Sequence, residues 1–126
     1  MFITKLNEVL SSKKSFVADP LNSVSLGICL LINIIHWVIL YIKIKPGNRY
    51  ILLHYNVVYG SDLVGKSTYI YLIPFVALIL LLINALVASF FYKKEKLASY
   101  FLNIASVAIQ LIFLAASLVL IIANES

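Results

Sequence analysis

The sequence predicts an all-α membrane protein. We read an antiparallel three-helix transmembrane bundle, with an N-terminal amphipathic helix and a long, partly extended loop between the first and second spanning helices. Three observations predict it. The chain is 63% hydrophobic and 12% charged, where a soluble domain is nearer half apolar and a quarter charged. The apolar excess falls into three runs of membrane-spanning length. Between the second and third runs stands only the charged turn Lys93-Lys94-Glu95-Lys96, so those two helices must be neighbours. At 126 residues the chain forms one membrane domain, 1–126.

Residues 1–18 come first. Phe2, Ile3, Leu6, Val9 and Leu10 recur at helical spacing, with Lys5, Asn7, Glu8, Ser11 and Ser12 on other faces. This predicts a short amphipathic helix lying on the bilayer, with Lys13 and Lys14 at headgroup level. Asp19-Pro20 then marks a helix start, because Asp accepts bonds from free first-turn amides and Pro suits the first helical position. The first spanning helix is expected over 20–43, with Trp37 and Tyr41 in the interfacial belt. Its apolar run ends in Ile42-Lys43-Ile44-Lys45-Pro46-Gly47, so it reads as a span and not as a cleaved signal.

The motif loop covers 44–67. Leu53, Tyr55, Val57 and Tyr59 alternate with His54, Asn56 and Val58, which predicts an extended segment. A lone strand leaves backbone groups unpaired, so the loop should fold back on itself or lie across the helix ends. The second span is expected over 68–92, capped by Ser67 or Thr68. Pro74 lies in its first turns, tolerated at the start and otherwise a source of kinking. The third span is expected over 97–123.

Charge sets an expected orientation. Lys5, Lys13, Lys14, Lys93, Lys94 and Lys96 fall on one side, and Lys43, Lys45, Arg49 and Lys66 on the other. The richer side belongs in the cytoplasm, which puts the N-terminus inside and both the motif loop and the C-terminus outside the cell membrane. The net charge of +5 serves orientation and headgroup contact. No basic face is large enough for nucleic acid. Cys29, the single cysteine, lies inside the first run and reads as a small buried residue.

Each span carries a polar or small stripe on one face: Cys29, Asn33 and His36; Ala77, Asn84 and Ala88; Asn103, Ser106, Gln110 and Ser117. Amides are costly in hydrocarbon without partners, so the stripes should face one another. Asn33, His36, Asn84, Asn103 and Gln110 are the expected interior polar residues. An ion path needs ionisable groups at mid-depth, and His36 is the one such group, near one end of its span.

Several motifs in the loop are decoys. Gly60-Ser61-Asp62-Leu63-Val64-Gly65-Lys66-Ser67 matches the phosphate-binding pattern G-x-x-x-x-G-K-[ST]. That pattern needs a parallel sheet before it and a soluble helix after it. Here a membrane span follows, so no nucleotide is expected. His54 and Asp62 with Asn56 between them are too few ligands for zinc or calcium, and neither metal nor cofactor is expected. Ser61, His54 and Asp62 spell a hydrolase triad that nothing orders, so the protein is not read as an enzyme. Two readings of His54, Asn56 and Asp62 remain: hydrogen bonding to loop backbone, or recognition of something outside the cell.

The run Leu53-His54-Tyr55-Asn56, Gly60, Asp62, Gly65-Lys66, followed by a span with an early proline, resembles a domain of unknown function. That domain is found at the N-terminus of bacterial immunity membrane proteins of the sporulation-delaying-protein type. The family pattern is roughly I-P-x-H-[FWY]-N-x-x-G-x-x-D-x-[WY]-G-[ST]-K between two spans. His54, Tyr55 and Asn56 match in order. Gly60 sits one residue late, Asp62 follows it by two, Leu52 stands for the proline and Val64 for the second aromatic. The chain also resembles uncharacterised small three-helix membrane proteins of streamlined bacteria, with an Asp-Pro start, a His-Tyr-Asn loop and a Lys-Glu-Lys turn. The immunity resemblance implies membrane recognition of a toxin or signal. The expected function is therefore a small integral membrane protein that binds a ligand, peptide or partner membrane protein through His54, Tyr55, Asn56, Gly60 and Asp62. The alternative is an accessory or oligomeric subunit of a transport or pore complex.

Overall fold

The computed structural model of the chain describes residues 1–47, 49–56 and 60–125, with side chains throughout except at Val9, 12–14, Leu52, 54–56, 60–64 and 125. The chain is mostly helical. The elements are α1 (Phe2–Ala18), α2 (Pro20–Lys43), β1 (Tyr50–Asn56), β2 (Gly60–Lys66), a 3₁₀ turn (Ser67–Tyr71), α3 (Leu72–Phe91) and α4 (Lys96–Glu125). Three stretches are long and apolar enough to cross a membrane: Pro20–Lys43, Ser67–Phe91 and Lys96–Asn124.

The distribution of side chains identifies the solvent. Asn22, His36, Asn103 and Gln110 are wholly buried, while Leu31, Ile34, Ile104 and Ile112 are more than half exposed. A soluble fold does the reverse, hiding aliphatics and wetting amides. Such continuous exposed apolar flanks suit hydrocarbon.

Hydrogen bonds between helices give their relative directions. Asn22, Asn33 and His36 of α2 meet Asn103, Gln110 and Ser117 of α4 in that order, so α2 and α4 run the same way. Along α3 the order reverses. Pro74 and Ala77 meet Asn33 and Gln110, Asn84 meets Ser106, and Ala88 meets Ser99. The ends of α1 and the α3–α4 turn therefore share one face of the molecule, and the β1–β2 hairpin occupies the other.

The motif loop folds back on itself as an antiparallel hairpin, one of the two courses expected of it, and its two strands make the chain not wholly α. Pairing runs from Tyr50↔Lys66 at the base to Asn56↔Gly60 at the far end. The register shifts twice, skipping Leu53 on β1 and Asp62 on β2. Folding back pairs backbone groups that a single strand would leave bare. Val57, Val58 and Tyr59, whose alternation helped predict the strand, lie outside the described residues. The hairpin base sits on the helix ends, where Ile51 joins Leu40, Ile44, Ile70, Leu120 and Ile121 in a buried apolar cluster.

The second span starts differently from the expectation. Its first turn, Ser67–Tyr71, is 3₁₀ and α3 proper begins at Leu72. Pro74 is then the third residue of the α-helix, still within the first turns of the span, where proline is tolerated. Neither Ser67 nor Thr68 caps the helix with its side chain. Both hydroxyls instead hold Gly47: Ser67 Oγ donates to Gly47 O at 3.3 Å, and Thr68 Oγ1 lies 3.0 Å from both Gly47 N and O. Gly65 is needed for close approach. A Cβ built there would stand 2.5 Å from Leu53 Cδ1, so β2 passes under the Leu53 side chain.

Candidate functional site

The residues singled out by the sequence fall into two places. The first is the distal half of the hairpin. His54 pairs with Leu63, Tyr55 with Ser61 and Asn56 with Gly60, and Asp62 is the residue skipped between two of those rungs. Four of the five loop candidates are thus on the last three rungs of one ladder, and the fifth, Asp62, lies between two of them. The described side chains do not include His54, Tyr55, Asn56 or Asp62, so their contacts lie outside the description. The phosphate-loop-like match is strand β2. Its backbone is committed to β1, and does not wrap around an anion as such a loop must.

The second place is the interior between the spanning helices. At mid-length, Asn33 Nδ2 donates to Gln110 Oε1 at 3.2 Å and to Pro74 O at 3.1 Å, and Asn33 Oδ1 accepts from Trp37 Nε1 at 2.9 Å. Gln110 Nε2 donates to Ala77 O at 2.9 Å. One level along, the half-buried Asn84 donates to Ser106 Oγ at 3.0 Å. Toward the α1 end, Asn103 donates to Asn22 Oδ1, and Asn22 Nδ2 donates to Phe16 O at 3.0 Å. Toward the hairpin end, His36 Nε2 and Ser117 Oγ lie 2.5 Å apart. The amides therefore bond to one another and to buried backbone carbonyls of neighbouring helices, as hydrocarbon requires. His36 Nδ1 and Asn103 Oδ1 are buried with no hydrogen-bond partner among the described residues.

The two ends are closed by aromatic side chains. Tyr71 Oη donates to Ile44 O at 2.5 Å, just past the last residue of α2, and lies 3.2 Å from Leu40 O, which already accepts from Ile44 N at 2.7 Å. Its ring stacks on Trp37 at 6.0 Å. At the opposite end, Asp19 Oδ1 caps α2 through Leu21 N at 3.0 Å. Asp19 Oδ2 accepts from Tyr92 Oη at 2.6 Å and from Tyr100 Oη at 2.5 Å, with Lys96 Nζ at 3.7 Å. The Tyr100 and Tyr92 hydroxyls, with the Leu21 amide and the Lys96 charge, hold the Asp19 carboxyl below its ordinary range against the effect of burial. The bond to Asp19 raises the Tyr92 hydroxyl in turn.

The sequence marks Asp19 as a helix cap and does not single out Tyr92, Tyr100 or Asn22. A signal for Asn22 was present: the Cys29, Asn33, His36 stripe extended back by seven residues lands on it. Nothing in the order of residues joins Asp19 to tyrosines 73 and 81 positions away. Among the described residues, no group of three His, Cys, Asp or Glu lies together to hold a metal. Comparison with family profiles, with curated proteins and with solved structures returns no match.

Proposed function

We propose that the chain is a non-enzymatic recognition protein of the cell membrane. Its three spanning helices would form an antiparallel bundle, with the N-terminus in the cytoplasm and the hairpin and C-terminus outside. It binds a ligand, peptide or partner membrane protein through the far half of the hairpin, with His54, Tyr55, Asn56, Gly60 and Asp62 as the contacts. This is the role implied by the resemblance to immunity membrane proteins.

One observation carries the reading. The ladder breaks register at Leu53 and at Asp62, on either side of the His54↔Leu63 rung. Such bulges bend a strand and re-aim its side chains, and they gather beside functional sites. The polar groups of the helices are mostly paired with one another, which leaves the hairpin as the place for outward chemistry.

The test is cross-linking mass spectrometry on native membranes, comparing the protein with a His54→Ala, Asn56→Ala, Asp62→Ala triple variant. Capture of one specific partner, lost in the variant at equal abundance and helix content, is the expected result. Equal capture by both proteins sinks the reading. A second reading, a subunit of a transport or pore complex, draws on the buried, unpartnered His36 Nδ1 inside α2. It expects ion flux from liposomes that His36→Ala abolishes.

A further inference from the structure

We propose that the base of the hairpin holds a binding site for the headgroup phosphate of an anionic phospholipid, with Lys45 and Arg49 as its principal ligands. The site is a hollow of about 420 Å³ lined by Ile42, Lys43, Lys45, Gly47, Arg49 and Ser67. A water occupies about 30 Å³ of liquid, so the hollow admits a group of many non-hydrogen atoms and is oversized for a lone halide. It lies outside the interior polar network and away from the far half of the hairpin, so it is independent of what the hairpin recognises.

The walls are built firmly. Helix α2 ends at Lys43, and Ile44 turns inward to the apolar cluster at 2% exposure. The chain then doubles back past Gly47, which the Ser67 and Thr68 hydroxyls pin at 3.0–3.3 Å. Arg49 O accepts from Ser67 N at 2.6 Å. This frame sets three cationic side chains around one concavity. Neither Lys45 nor Arg49 has an ion-pair partner among the described residues. Arg presents a fork that fits phosphate oxygens, and Lys adds a point charge.

The neighbourhood selects a lipid over a free anion. Ile42 lines the hollow and is 66% exposed, and Val38, one turn earlier on the same face of α2, is 50% exposed. A membrane-spanning helix that ends at this point brings the hollow to headgroup depth. An acyl chain lying along Val38 and Ile42 would deliver its phosphate to Lys45 and Arg49. A lipid with net negative charge is favoured over one whose phosphate is neutralised by its own choline.

The experiment is native mass spectrometry of the full chain in detergent, titrated with dioleoylphosphatidylglycerol, dioleoylphosphatidylcholine or inorganic phosphate. Each basic residue at a charged membrane surface contributes about a factor of five in affinity. The expected result is tighter binding of phosphatidylglycerol than of phosphatidylcholine, weakened roughly fivefold by Lys45→Gln or Arg49→Gln alone and roughly thirtyfold by both. Lys45→Arg with Arg49→Lys should retain binding, as should Lys93→Gln with Lys94→Gln at the opposite face. The single variants keep the test open if the double one does not fold. Unchanged binding in the neutralised variants overturns the proposal. So does an equal loss in the Lys93, Lys94 variant, which marks diffuse charge, or displacement of the lipid by equimolar inorganic phosphate, which marks a free-anion site.

Discussion

Asn33 and Gln110 join side chain to side chain at 3.2 Å, and each also reaches a backbone carbonyl of α3, Asn33 at Pro74 and Gln110 at Ala77. Two amides thus fasten three helices at one level. Asn33 uses both its amide hydrogens there and accepts from Trp37 as well.

Removing one member of that pair should cost more than its share. Gln110→Leu leaves one Asn33 hydrogen without its acceptor and removes the added bond to Ala77 O, for a loss of about 1–2 kcal/mol. Asn33→Leu should cost a similar amount. The double variant should cost clearly less than the two together, because the stranded partner goes too. Reversible unfolding in mixed detergent micelles gives all four free energies. Additivity within about 0.5 kcal/mol would show that the two side chains are not coupled.

Asp19 ties the α1–α2 junction to both sides of the α3–α4 turn. Its carboxyl titrates below the ordinary value of 3.8 in the folded protein. The stabilisation is therefore complete above that ordinary value and is lost as the pH falls through the lower folded value. Hydrogen exchange of α1 amides should be insensitive to the tie from neutral pH down to about 5, after allowance for intrinsic exchange, and should rise only in stronger acid. Asp19→Asn should show the raised exchange at every pH. Identical protection in the variant and the parent at pH 7 would remove Asp19 as the tie.

Gly65 has room for hydrogen alone, with Leu53 Cδ1 2.5 Å from any added Cβ. The Leu53 methyl is the mobile end of a side chain, so Gly65→Ala should cost about 1 kcal/mol. Gly65→Val should cost more, up to about 3 kcal/mol. Leu53→Ala in the Gly65→Ala background should recover part of the loss. A thermal melt of the three variants in detergent tests the order, and no recovery in the double variant counts against the Leu53 contact.

Pro74 should be nearly replaceable. It sits at the third residue of α3, directly after the 3₁₀ turn Ser67–Tyr71, in the first turns of the span, where proline is tolerated. Pro74→Ala should shift stability by no more than about 0.5 kcal/mol, with the Asn33 bond to residue 74's carbonyl kept. A loss of 2 kcal/mol or more on the same unfolding assay would place the proline in a kink instead.

The spans were legible because length and apolar content alone decide them, and the Asp19-Pro20 start because a cap acts within one turn. The stripes were legible because helical period puts Asn33 with His36, and Asn103 with Gln110, on one face. The partners across the interface were not. Which of several amides meets Asn33 depends on helix rotation and axial offset, and the sequence states neither. The hairpin was half legible: alternation around Leu53 and Tyr55 marked a strand, but the skipped residues Leu53 and Asp62 break the period that would have fixed the pairing. The Asp19, Tyr92, Tyr100 cluster was hidden by its separation in the chain, and Ser67 and Thr68 were misassigned because a hydroxyl beside a helix start serves equally well as a tether for Gly47.

The parallel course of α2 and α4 bears on how the protein is made. Asn22, Asn33 and His36 find their partners on α4, which leaves the ribosome after both other spans. Until it arrives, α2 enters the bilayer with those groups lacking their final hydrogen bonds, aided by what Pro74 and Phe16 can offer. A chain that stops before α4 therefore leaves Asn22, Asn33 and His36 without the partners that the last helix brings, so α4 is the element that completes the polar interior.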